Sequence, residues 1–400
     1  MSAAGGTRAV RVARQATTGK ISGKRAAFTA LGLAALASAG AQAQAQTAAP
    51  AGVSLYGLID TGVEHITNVG ADRSSLTRMP GLSGTLPSRW GLRGNEDLGG
   101  GLRAVFTLEA GFSPDSGVSN QGGRLFGRQA YVGLSGDWGT VALGRQYSML
   151  YWSVFDGDQL GPNVYGLGSL DSYIPNSRID NAITYRGTFR GLSLGASYSF
   201  GRDAVNAGPS PVGTNCGGEN AADRSACRQW SAMAKYDAPA WGVALAHDQI
   251  RGGAGAFADL TSSDLTDRRT TLNGYFKLGP AKLTAGVLRR DNEGAAPLSP
   301  VNGQGARSDI YWIGGAYTVG AFTLDGQIHR LDFKDGGDKA TLSAVRGFYN
   351  FSKRTLVYAQ VAHISNGARL AIPVSSGQAG GAPLPGVGQN AVMLGMRHTF

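Results

Sequence analysis

The sequence predicts an all-β chain, a sixteen-stranded antiparallel β-barrel that crosses a membrane with short turns at one end and long loops at the other. Three observations carry this. Glycine supplies 62 of the 400 residues and charged side chains only 16%, a composition rich in turns and unlike that of helical bundles. Beyond residue 50, segments of about ten residues rich in Tyr, Val, Leu, Thr and Gly alternate apolar and polar side chains, the period of a strand with one apolar face. The connections between them alternate short and long, as in an up-and-down meander.

The first 45 residues stand apart. They hold Arg8, Arg11, Arg14, Lys20, Lys24 and Arg25 with no acidic side chain, so most of the formal net charge of +10 belongs to them. A nucleic-acid binder keeps a basic face throughout its domain, so no nucleic-acid partner is expected. An apolar run over 26–39 follows, then Ala43-Gln44-Ala45. A basic stretch, a short apolar run and an A-x-A site form a secretory signal, and the run is too short for a membrane helix of ~20 residues. Residues 1–45 are therefore read as a cleaved signal peptide and 46–400 as the mature barrel domain.

The predicted strands run in order over 53–66, 86–97, 102–112, 124–135, 138–146, 180–187, 191–200 and 228–237. The second half follows at 241–250, 268–278, 281–290, 307–318, 321–332, 340–351, 354–364 and 389–400. In the first, Val53, Leu55, Ile59 and Val63 share one parity and Ser54, Tyr56, Asp60 and Glu64 the other. In the second, Trp90 and Leu92 alternate with Arg89, Arg93 and Asn95; in the last, Val392, Leu394 and Met396 alternate with Gln389, Arg397 and Thr399. Such a stave presents its apolar face to lipid and its polar face inward. In lipid every backbone group must be paired, so strands that cross must close into a barrel, and sixteen of them enclose a wet lumen. Cys216 and Cys227 lie in the long polar connection before the eighth strand. In an oxidising compartment they are expected to close a small loop disulfide; no histidine is near enough in sequence to join them in a metal site.

These residues resemble the trimeric general-diffusion porins of Gram-negative outer membranes, nearest to the β-proteobacterial branch. The likeness covers Leu55 to Phe400. It rests on Leu55-Tyr56-Gly57, on Ser88-Arg89-Trp90-Gly91-Leu92-Arg93-Gly94, and on Arg128-Gln129-Ala130-Tyr131-Val132-Gly133-Leu134. Leu143-Gly144-Arg145-Gln146, Asp180-Asn181-Ala182-Ile183-Thr184-Tyr185, Ser352-Lys353-Arg354-Thr355 and the terminal Gly395-Met396-Arg397-His398-Thr399-Phe400 continue it. The resemblance implies short periplasmic turns, long external loops and a third loop, about 146–179, folded inward to narrow the pore. It implies a homotrimer in outer-membrane lipid and lipopolysaccharide, passing small hydrophilic solutes and ions without a cofactor. Arg89, Arg128 and Arg186 match family arginines at the constriction, and Arg93 lies one inward step from Arg89. Asp156 and Asp158 are the loop carboxylates expected to face them, giving a modest anion preference. Phe400 marks the strand read by the barrel-assembly machinery, and its aromatic ring also suits the membrane interface. His398 departs from the family, where Tyr is common.

Catalysis finds little support. His65, His247, His329, His363 and His398 are scattered one per segment, and the G-x-S-x-G stretch Gly191–Gly195 falls inside a predicted strand without the strand-to-helix turn of a nucleophile elbow, so neither a metal nor a nucleophile site is indicated. A surface-binding barrel shares the fold and is separated from a channel by conductance. A sugar-specific channel needs an aromatic track; Tyr151, Trp152, Phe155, Tyr165 and Tyr173 in the long loop do not form a clear one.

Overall fold

The structure, a computed structural model, describes residues 52–161, 164–202, 215–294 and 307–400; the predicted leader and its cleavage site lie outside them. In order the strands are β1 (Gly52–Val69), β2 (Ser74–Arg78), β3 (Arg89–Gly99), β4 (Leu102–Gly111), β5 (Gln129–Gly136) and β6 (Gly139–Tyr147). Then come β7 (Arg178–Ile179), β8 (Ala182–Phe189), β9 (Leu192–Ser199), β10 (Gln229–Asp237), β11 (Trp241–Arg251) and β12 (Thr266–Leu278). The last are β13 (Ala281–Asn292), β14 (Arg307–Val319), β15 (Phe322–Phe333), β16 (Lys339–Asn350), β17 (Thr355–Asn366) and β18 (Gln389–Thr399). Sixteen are staves of one closed antiparallel barrel, sealed where β1 pairs β18 from Leu58↔Thr399 to Ile66↔Ala391. The other two are additions: β2 folds back on the outer end of β1, with Glu64 opposite Arg78, and β7 pairs with the last two residues of β6, just before β8 takes up the same strand.

Side-chain burial is inverted relative to a water-soluble protein. Along β1, Leu55 and Val63 are exposed while Asp60 and Glu64 are fully buried. On later staves Ile313 and Leu394 are exposed, and Asp267, Gln327 and Arg346 are buried. Apolar side chains outward and polar side chains inward is the only patterning that suits lipid outside and water inside. Exposed aromatics gather beside the short turns, among them Trp138, Phe189, Trp241, Phe276, Phe322 and Phe351. They form the aromatic girdle of one membrane interface. The turns obey local chemistry. Arg190 and Gly191 have φ of 49° and 89°, both central residues of the β8–β9 hairpin being left-handed as a type I′ turn requires.

The outer half of the lumen is packed. The third long loop enters it with a short helix, Met149–Val154, which is anchored where Met149 N donates to Ser231 Oγ at 2.9 Å. The final loop, 367–388, enters as well, contrary to its polar, glycine-rich appearance in the sequence. Leu370, Ile372 and Val374 are fully buried. Ser169 Oγ donates to Val374 O at 3.1 Å, and Ser376 N to Val164 O at 3.1 Å. The first loop completes the cluster, Leu82 N donating to Gly377 O at 3.1 Å. The apolar core thus sits inside the barrel, where side chains of the inward loops pack against apolar side chains on the inner faces of the staves, such as Ile250, Leu331 and Leu342.

Candidate functional site

Beneath this plug, a cavity of about 470 Å³ reaches from the third loop to the short-turn end of the barrel. Its walls carry Arg128, Arg178, Lys277, Lys282, Arg346, Lys353, Arg354 and Arg397 against Asp156, Asp158 and Asp325. Eight cationic and three anionic side chains make it strongly electropositive.

One wall is organised by Glu109 on β4. Arg128 Nε donates to it at 2.8 Å and Tyr56 Oη at 3.0 Å, while Arg89 lies 3.5 Å away. Arg128 also donates through Nη2 to Tyr147 Oη at 2.7 Å, and Arg178 Nη2 donates to the same oxygen at 2.9 Å. Arg93 lies over the Tyr56 ring at 4.9 Å. Arg186 points inward on β8 and stacks on Trp152 of the loop helix at 3.8 Å. Of the four arginines named from the sequence, Arg128 borders the cavity; Arg89, Arg93 and Arg186 lie on the same side outside its lining.

The carboxylates are differently placed from a plain row facing arginines. Asp156 borders the cavity but pairs with Lys235 of β10. Asp158 is buried, accepting from Gln327 Nε2 at 2.7 Å, with His329 Nε2 at 4.0 Å. Burial pushes its carboxyl up to about 7, the Gln327 hydrogen bond and the Arg346 and Lys282 charges opposing. A third loop carboxylate, Asp171, is turned to the wall and accepts from Arg269 Nε at 2.7 Å and Nη2 at 3.1 Å. Burial alone raises its carboxyl, yet the Arg269 and Arg290 charges hold it below the usual range. On the opposite wall Arg346 grips Asp325 at 2.7 and 3.1 Å, and Arg397 Nη1 donates to Thr85 Oγ1 at 3.2 Å. A line of loop carboxylates facing the arginines is therefore absent; cations stand on both sides.

Arg178 and Arg346 were not singled out from the sequence. Arg346 was findable, since β16 places Leu342, Ala344 and Arg346 on one inward stripe. Arg178 sits where the loop rejoins the barrel, and no periodicity marks it. Tyr165 and Tyr173 are buried with their hydroxyls donating to Glu64 and Asp248, so they line no track; Tyr151 and Phe155 do border the cavity. Cys216 and Cys227 are joined, with Cα atoms 5.2 Å apart. The Phe400 ring lies over Gly57, and the two backbones exchange hydrogen bonds at 3.1 and 3.0 Å at the barrel seam. Among the described residues no cluster of His, Cys, Asp and Glu could hold a metal ion.

The comparisons agree with this geometry. Residues 27–369 match the model of a Gram-negative porin family. An outer membrane porin protein of Bordetella pertussis is 31% identical, the alignment covering 93% of this chain and 99% of the relative. Outer membrane porin protein 32 of Delftia acidovorans is 30% identical over 92% of this chain and 99% of its own length. Among solved structures, the anion-selective porin from Comamonas acidovorans superposes with a TM-score of 0.68 at 26% identity, covering 87% and 99% of the two chains. The trimer form of OmpT from Vibrio cholerae, 18% identical with a TM-score of 0.59 over 88% and 100%, shares the fold. The chain belongs to the Gram-negative porin family, whose members are outer-membrane channels.

Proposed function

We propose that this outer-membrane channel prefers anions as it passes small hydrophilic solutes and ions by diffusion. The observation that carries the reading is the excess of cationic over anionic side chains on the cavity wall. Fixed charge around a pore sets which ions enter, and a gap narrower than the ~8 Å screening length at physiological salt keeps an ion inside that field. The likeness to a relative described as anion-selective supports it.

The working protein is read as residues 46–400, exported and freed of residues 1–45, and assembled as a homotrimer in lipid and lipopolysaccharide. Phe400 serves as the assembly signal; its ring and backbone close the barrel seam against Gly57, so its correct seating coincides with closure. Arg89, Arg93, Arg128 and Arg186 supply wall charge, with Asp156 and Asp158 as the loop's counter-charges.

The test is the zero-current potential of the purified protein in a planar bilayer across a tenfold KCl gradient. An anion-side potential is expected. Replacing Arg89 and Arg128 together by glutamine leaves Glu109 without its two cations, so this triad swings from one net positive to one net negative charge. The potential then moves toward the cation side. A wild-type potential at zero or on the cation side refutes the preference; an unmoved potential in the double variant refutes the role of these arginines.

A further inference from the structure

We propose that the constriction discriminates among organic anions, favouring those that carry a carboxylate on a flat aromatic ring over aliphatic anions of equal charge. This rests on the anion preference proposed above and adds to it a second, uncharged element of recognition.

The polar half of the subsite is Arg128 with Arg178. The two side chains are only 3% and 2% exposed, yet both border the cavity. Their shared acceptor, Tyr147 Oη, occupies one nitrogen of each and fixes the two guanidiniums relative to one another. Arg128 Nη1, Arg178 Nε and Arg178 Nη1 have no protein partner. A buried donor without an acceptor is costly, and a guanidinium edge presents a fork that fits a carboxylate. These three enclosed donors lie on residues that line the cavity, and an oxyanion that reached them from it would supply hydrogen bonds that the protein itself does not.

The apolar half is aromatic. Tyr151 stacks on Tyr147 with ring centroids 3.9 Å apart and planes 15° from parallel, and Phe155 follows at 6.0 Å from Tyr151. Tyr151 and Phe155 border the same cavity as the two arginines. Across the gap Phe348 also borders it, with the Arg346 guanidinium 4.6 Å from its ring centroid. An aromatic acid has both features in one rigid body: the carboxylate meets the guanidinium donors while the ring lies against Tyr151 and Phe155. Chloride or a short aliphatic acid meets only the charge. Aromatic pairs add attraction beyond burial of area, equivalent to about a two- to tenfold gain in affinity.

The experiment measures block of the chloride current through the wild-type channel by benzoate and by cyclohexanecarboxylate, which matches its charge and ring size but lacks a π face. Benzoate is expected to halve the current at a concentration about two- to tenfold lower. The Tyr151→Leu, Phe155→Leu pair should bring the two half-blocking concentrations together. Where the pair assembles poorly, Tyr151→Leu alone should narrow the gap. Equal block in the wild type, or a gap that survives these changes, overturns the inference. Absence of an anion-side reversal potential in the wild type overturns instead the reading on which it rests.

Discussion

Glutamate 109 offers a counter-intuitive perturbation, because the arginines that the motifs single out do not act as two free charges. Glu109 is buried at 1% exposure and sits 2.8 Å from Arg128 and 3.5 Å from Arg89. The three together carry one net positive charge. Glu109→Gln keeps the oxygen that accepts from Arg128 and an amide that can hydrogen-bond to Tyr56, so the wall should hold its shape. It raises the net charge of the group to two. For an ion passing at about 6 Å through a medium of effective dielectric about 60, one added charge is worth ~1 kcal/mol. Screening over that distance at 0.1 M salt reduces it to ~0.5 kcal/mol. The anion-to-cation permeability ratio should rise about two- to fivefold by these figures. Reversal potentials of wild type and variant in the same KCl gradient measure it, with heat-modifiable migration confirming a folded barrel. The increment should shrink at 1 M salt, where the screening length is only ~3 Å. A ratio that is unchanged or falls would sink the claim that Glu109 masks the arginine charge.

Three other outcomes are expected. Asp158, pushed up to about 7 by burial, is largely neutral at pH 6 and anionic at pH 8.5, so anion preference should decline as pH rises through 7; reversal potentials recorded across that range should go flat in Asp158→Asn. A Cβ at Gly57 would stand 2.5 Å from the Phe400 ring and 2.7 Å from Arg89 O, so Gly57→Val should cut the yield of heat-modifiable barrel severely while Gly70→Ala, in open space but at φ 68°, costs only about 1–2 kcal/mol. Replacing Leu370, Ile372 and Val374 together by Asp removes burial worth ~1.5–3 kcal/mol per side chain and should release the last loop, seen as a higher single-channel conductance; an unchanged conductance would mean that this loop does not narrow the path.

The barrel was legible because lipid imposes one rule on every stave. Each predicted segment coincides with an observed stave, and the ends agree to within a few residues at nearly every boundary. The largest error, the fourth predicted strand beginning at 124 where β5 begins at Gln129, has a local cause. Gln121 and Gly122 adopt left-handed backbone angles, and Arg124 to Arg128 are drawn into the wall network instead of the ladder. The small β2 was invisible because Ser74–Arg78 is short and polar and pairs only with the end of β1. What periodicity could not give is where loop side chains finish. Arg178 and Asp158 owe their places to contacts with Tyr147 and Gln327, far away in sequence, and no spacing rule encodes such partners. The inward turn of 367–388 did leave a trace, the apolar run Leu370-Ala371-Ile372, but the surrounding Gly, Pro and Ser outweighed it.

Counting arginines overstates the field that a solute meets, and the pairing pattern corrects the count. Glu64 pairs with Arg78, Glu109 with Arg128, Asp267 with Arg290 and Asp325 with Arg346. These interior pairs fix the wall, since removing one partner of a buried pair leaves a charge uncompensated at a cost of about 3–5 kcal/mol. Arg178, Lys277, Lys282 and Arg397 border the cavity with no carboxylate in the salt bridges among the described residues. They are better candidates for the net field than Arg89 and Arg128, which share Glu109. Their position matters as much as their number. Inward loops, packed against apolar side chains on the inner faces of the staves, fill the outer half of the lumen, so a solute that passes the plug is confined against this cationic wall. Shape therefore forces the encounter and unpaired charge decides its sign, which is why charge changes at Lys277 or Arg397 should alter selectivity with less disturbance of the wall than changes at Arg346.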